Sequence, residues 1–212
     1  MFSLLLLWSS AWLAVGVHLS VVAAVGRALG AQVEAVRFGS LGRLRLRDTA
    51  PDVSLGLLPG GFVQFVGAGD PTADGYEQLP RWRRAFIPVT GPLVVLGLAA
   101  AVLGPDGALG SALRAPAQLF SILDPFGAAP VVLDAANAAL LQPPAWIIGT
   151  LLAKVAAFNL LPFPTLATGQ ALLALVPLPE RLRVLVNGLA AVAVAALFFG
   201  WVLACGAWLY RG

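Results

Sequence analysis

Charge is scarce in this chain. Of 212 residues only 11% are Asp, Glu, Lys or Arg, against 59% hydrophobic, where a soluble domain carries about 25% and about 45–50%. That imbalance excludes an ordinary water-soluble globule, a disordered tail and a polar nucleic-acid binder. Cysteine is nearly absent too. Cys205 is the single thiol, so a disulfide framework within the chain is impossible. Histidine occurs once, at His18, and lysine once, at Lys154, so the net charge of +3 rests on arginine. Gly-rich phosphate loops and Cys/His metal clusters are missing. What is abundant is Ala, Gly, Leu and Arg, a composition that suggests a GC-rich bacterial genome.

The few charges punctuate long apolar runs. No Asp, Glu, Lys or Arg occurs before Arg27. That run exceeds the roughly 20 residues a spanning helix needs, and it lacks the basic start of a signal peptide. Further uncharged runs lie at 86–104 and 184–210, and a fourth at 135–168 is interrupted only by Lys154. Pro143 and Pro144 suit a helix start, Pro162 and Pro164 a break. The expected fold is a single all-α membrane domain over 1–212. Its four spans fall at about 3–28, 86–104, 144–168 and 184–209, with a β-rich loop at 31–67 and an outer-face loop at 105–143.

Arginines orient these spans. Arg27, Arg37, Arg43, Arg45, Arg47, Arg81, Arg83 and Arg84 lie between spans one and two. Arg114 is alone in the next loop, and Arg181 and Arg183 sit in the third. Basic residues collect in cytoplasmic loops, so loops one and three are expected inside and both termini outside. Within loop one, Arg43-Leu44-Arg45-Leu46-Arg47 alternates with the period of a strand. Val33–Phe38 and Gly60–Gly67 are also strand-like. Together they predict a small sheet at the membrane surface, packed on the spans. The Arg stripe reads as a solvated face or a contact with anionic lipid headgroups. Short helices are expected at 117–123 and 131–141.

Four segments, in order, resemble the site-2 protease family of intramembrane zinc metalloproteases. They are His18-Leu19-Ser20-Val21-Val22, Pro59-Gly60-Gly61-Phe62-Val63, Gly91-Pro92 opening the second span, and Asn159-Leu160-Leu161-Pro162-Phe163-Pro164-Thr165-Leu166-Ala167-Thr168-Gly169. The first aligns with the family's His-Glu-x-x-His and the last with its Asn-Leu-Leu-Pro-x-Pro-x-Leu-Asp-Gly-Gly. The resemblance implies a site-2-protease-like membrane bundle, with its chemistry removed. His18 keeps the first zinc ligand, but Leu19 stands where the general-base glutamate belongs, Val22 at the second histidine and Ala167 at the aspartate. Catalytic zinc takes three protein ligands plus water, and only one is left. Ser20, two residues from His18, has no acid to complete a triad.

The resemblance therefore implies a pseudoprotease with no catalytic residues, no zinc and no other cofactor. The expected function is a scaffold or subunit that binds another membrane protein in a hetero-oligomeric complex, in contact with lipid, in a bacterial cytoplasmic membrane. A peptidase with a non-standard site and a subunit of a transport complex are the alternatives. A partner is expected in a groove built by Gly60, Gly61, Phe62, Asn159, Pro162 and Pro164. His18 reads as a hydrogen-bonding remnant, a residual metal contact or a pH sensor. Lys154, an intramembrane charge, is expected to snorkel or pair with Asp134 or a carbonyl freed near Pro162, or else to meet a partner chain. Ala196, Gly200 and Ala204, spaced by four, suit close helix packing inside the bundle or against a partner helix.

Overall fold

The computed structural model describes residues 2–47, 51–68, 75–176 and 178–211. Helix α1 (Phe2–Ala28) leads into four strands, β1 (Val33–Ser40), β2 (Leu44–Arg47), β3 (Asp52–Leu55) and β4 (Leu58–Phe65). After a 3-10 turn at Tyr76–Gln78 come α2 (Arg81–Leu103), α3 (Pro105–Phe120), α4 (Ala128–Ala139), α5 (Pro144–Asn159), α6 (Ala167–Leu175) and α7 (Glu180–Arg211). Three of these helices, α1, α2 and α7, are long and apolar enough to cross a membrane.

The expected span at 144–168 is corrected. Helix α5 stops at Asn159, and a turn over 160–166 separates it from α6. Pro162 and Pro164 carry no N–H for a helical ladder, and Leu161 N–H already bonds the Phe158 carbonyl in the tighter i−3 pattern (3.1 Å). Gly169 then lets α6 fold back onto this turn, because a Cβ there would overlap the Phe163 carbonyl. At 16 residues, α5 is about 24 Å long. The loop at 105–143 is more helical than expected: α3 begins at Pro105, well before Ala117, and α4 begins at Ala128 and ends at Ala139. Asp124 starts α4 by accepting the backbone N–H groups of Gly127 (3.0 Å) and Ala128 (2.9 Å).

The sheet has the order β2-β3-β1-β4. β1 and β3 are parallel, with Val36 opposite Val53, while β4 and β2 pair antiparallel with β1 and β3. The sheet packs along α1, in keeping with the expectation that it packs on the spans. A Cβ on Gly39 would stand 2.6 Å from the Trp12 ring, one on Gly61 would stand 2.9 Å from Leu19, and the Phe65 ring covers Gly26. These contacts run from Trp12 to Gly26, about 20 Å of helix axis. The glycines permit the approach because none presents a side chain, and Gly61 also has φ +135°. The arginine stripe on β2 gives no buried face: Leu44 and Leu46 are each 61% exposed, since β2 is the sheet edge farthest from α1. Arg43 pairs with Asp52 on β3. The side chain of Arg47 lies outside the described residues.

Three apolar clusters hold the chain together. Leu19, Val22 and Ala23 of α1 pack with Val33, Val36 and Phe65 of the sheet and Ile87 of α2. Ala14, Val95, Ala99, Ala108, Leu152, Ala153 and Ala156 join α1, α2, α3 and α5. Ile122, Ala129 and Ala204 seat α7. Gly200 lies against Ile122, so Gly200 and Ala204 of the small-residue series pack within the bundle. The rest of α7 is largely uncovered, with Leu189, Val192, Phe199 and Leu203 exposed.

Candidate functional site

His18, Leu19 and Val22 come from one face of α1, since positions four apart stack on a helix. Ala167 is the first residue of α6. All four line one cavity of about 340 Å³, together with Gly61 and Phe62 of β4 and Asn159 at the end of α5. Seven of the residues singled out in the sequence are thus brought together from four elements. Gly60, Pro162 and Pro164 do not line this cavity. Pro164 borders a neighbouring one of about 540 Å³, and Pro162 acts through the turn it forces.

The cavity wall is apolar where the resemblance puts metal chemistry. Leu19, Val22 and Ala167 are buried aliphatic groups. His18 Nδ1 is buried with no hydrogen-bond partner, and it lies against Gly91 of α2, where a Cβ would stand 2.8 Å from the His18 carbonyl oxygen and 2.9 Å from Cε1. The remaining polar groups are the neutral side chains of Asn159, Thr165 and Gln170 and the Tyr76 phenol. Zinc prefers thiolate, imidazole and carboxylate, and among the described residues no group of three His, Cys, Asp or Glu could hold a metal. The donor set does not fit a catalytic zinc, and His18 alone cannot supply one. Asn159 Nδ2 donates to the Val155 carbonyl (2.9 Å), which ties the side chain back along α5 and leaves its carbonyl oxygen as an acceptor.

The adjoining polar cavity was not anticipated. Glu77 forms ion pairs with Arg84 of α2 and with Arg183 of α7 (3.8 Å for the latter). Tyr76 stacks on Phe65 with ring centroids 4.9 Å apart and donates to the Arg84 carbonyl (3.0 Å). Burial, and then the neighbouring Glu77 carboxylate, push its phenol up to about 12, with Arg84 opposing. Arg83 Nη1 donates to the Leu29 carbonyl at the end of α1 (3.1 Å). Loops one and three therefore meet on one face. Arg83-Arg84 and Arg181-x-Arg183 were visible in the sequence as orientation signals, but nothing there linked them through Glu77.

Lys154 sits elsewhere, on α5, facing cavities of about 420 and 340 Å³. The in-chain partners expected for it are corrected. Lys154 makes no hydrogen bond or ion pair among the described residues, and Asp134 instead accepts from Trp208 Nε1 (2.8 Å).

Compared with known proteins, the chain matches no protein-family model and no curated sequence.

Proposed function

We propose that this protein is a catalytically inactive, site-2-protease-like membrane subunit that binds another membrane protein. The observation that carries the reading is the convergence of His18, Leu19, Val22 and Ala167 on one cavity beside Gly61, Phe62 and Asn159. In this reading α5 and the turn after it act as the fourth span, and the cavity is a metalloprotease site whose ligands have become packing groups. β4 supports a partner role. Among the described residues it is an edge strand paired with β1 alone, and it runs beside α1 from Leu19 to Gly26. Lipid cannot satisfy open backbone N–H and C=O groups at that depth, whereas an added strand can. Phe62, 48% exposed on this strand, is a ready contact.

The test uses a photo-crosslinking phenylalanine analogue at Phe62 in the membrane-embedded chain. A crosslink to a membrane protein is expected, and Asn159→Leu should reduce it about five- to tenfold, the loss of one or two backbone hydrogen bonds, with the chain still inserted. Crosslinks to lipid alone, unchanged by Asn159→Leu, would refute the groove.

We also propose that loops one and three face the cytoplasm of a bacterium, with both termini outside. The arginine count supports this, as does the Glu77 link that gathers both loops on one face. A cytoplasm-only reporter inserted between Gly69 and Asp74 should give signal, and the same reporter fused after Gly212 should give none. The reverse pattern would overturn the orientation and the family topology with it.

A further inference from the structure

Lys154 and Thr150 stand one helical turn apart on α5 and line the same cavity of about 420 Å³. Its walls are mainly apolar and come from four helices: Leu7 on α1, Leu140 just past α4, Trp146 and Leu151 on α5, and Cys205 and Trp208 on α7. Asn137 of α4 also lines it, and the nearby Asp134 carboxylate is engaged by Trp208 Nε1. Two polar groups inside it are unspent. The Lys154 ammonium has no acceptor among the described residues. Thr150 Oγ1 is buried without a hydrogen bond, although a helical Thr ordinarily bonds back to the i−3 or i−4 carbonyl. Ser10, Thr90 and Ser121 do so here, at 2.6–2.7 Å. No Asp or Glu lines the cavity. A cation and a hydroxyl on one face, in an apolar chamber, lack a carboxylate.

We propose that this cavity binds a single-chain fatty acid, its carboxylate held by Lys154 and Thr150 and its tail by the apolar walls. The volume lies within the ~300–1,000 Å³ of ligand pockets, which are mostly apolar with a few placed polar groups. The cation and hydroxyl suit a carboxylate head and the apolar walls suit a hydrocarbon tail. An acidic residue on a partner helix supplies the head without the tail, and the test below separates the two. A charge-assisted hydrogen bond to Lys154 offsets the cost of holding an ammonium away from water. The site is separate from the His18 cavity and does not depend on the reading given to that one.

Trp146 and Trp208 are built-in reporters. In nanodiscs of phosphatidylcholine, 9,10-dibromostearic acid should quench the protein's tryptophan emission saturably. Its methyl ester, which has the same tail and no carboxylate, should quench without saturation. Lys154→Met should raise the half-saturating concentration about tenfold or more, the loss of a hydrogen bond to a charged group, and Thr150→Val about threefold. Replacing Trp146 and Trp208 together by Phe should remove the saturable component whether or not Lys154→Met folds. Equal behaviour of acid and ester, or saturable quenching that survives Lys154→Met or the loss of both tryptophans, would overturn the proposal. So would a carbodiimide crosslink joining Lys154 to an acidic residue of a second membrane protein.

Discussion

Val22→His combined with Ala167→Asp should turn the His18 cavity into a zinc site, holding about one metal per chain, with none expected on the unaltered protein. His18 and position 22 share one face of α1, about 5–6 Å apart at Cβ as any i, i+4 pair is. Position 167 enters the same cavity from the start of α6. Two imidazoles and a carboxylate are a sufficient donor set for zinc, with water as the fourth ligand. The expected readouts are metal content after dialysis and a zinc-dependent rise in melting temperature of the detergent-solubilised variant. Without metal the variant should be less stable than the parent, since it buries polar groups in place of aliphatic ones. A folded variant that takes up no zinc would mean that these positions are not arranged as a lapsed metal site. The proposed kinship with site-2 proteases would then lose its main support.

Glu77→Ala should destabilise the protein by about 2–4 kcal/mol. Removing one member of a buried pair leaves the other, here Arg84, with an uncompensated charge, at about 3–5 kcal/mol when burial is complete. Here the side chains of Glu77 and Arg84 are 13% and 17% exposed and that of Arg183 is 28%, so about 1 kcal/mol less than that range applies. The loss should be regional. Most of α7 is uncovered, and the Arg183 ion pair ties its first turn to the segment before α2. Hydrogen exchange should therefore quicken over the first turns of α7 while the cluster around Ala204 keeps its protection. Denaturation unchanged within about 0.5 kcal/mol, the usual scatter of surface substitutions, would show that the two arginines are adequately hydrated without Glu77.

Much of this arrangement was legible in the residues, for physical reasons that can be named. The uncharged runs located α1, α2 and α7, because lipid-scale helices tolerate few charges. β4 showed as an apolar segment bounded by glycine, β2 as the Arg-Leu alternation over 43–47, and β1 as a fainter strand pattern over 33–38. β3 did not, because the alternation of Asp52-Val53-Ser54-Leu55 is only four residues long, too short to stand out, and the segment is held as a strand by pairing with β1 on one side and β2 on the other. The early start of α3 was hidden by Gly107, Gly110 and Pro116, which lower helix propensity in a segment that its neighbours hold helical. The break at Pro162 and Pro164 was visible, but the length of the uncharged run drew the expected span past it. In the His18 cavity, helical spacing and motif order found the residues that converge. They did not find Glu77, whose partners come from segments far apart in the sequence. Nor did they show that Lys154 has no acceptor among the described residues, since Asp134 accepts from a tryptophan that sequence order does not put beside it.

The early end of α5 bears on how the chain enters the bilayer. A translocating segment is sorted by its own hydrophobicity, and a central lysine costs about 2.5–3.5 kcal/mol on that scale. With 16 residues and a length of about 24 Å against a hydrocarbon core of ~30 Å, α5 is a poor insertion signal by itself. Its buried face, Ile147, Leu152, Ala153 and Ala156, is satisfied by α1, α2 and α3, all made earlier in synthesis. In the proposed four-span topology, protein contacts more than lipid would hold this segment at depth, and its biogenesis would depend on helices already in position to receive it.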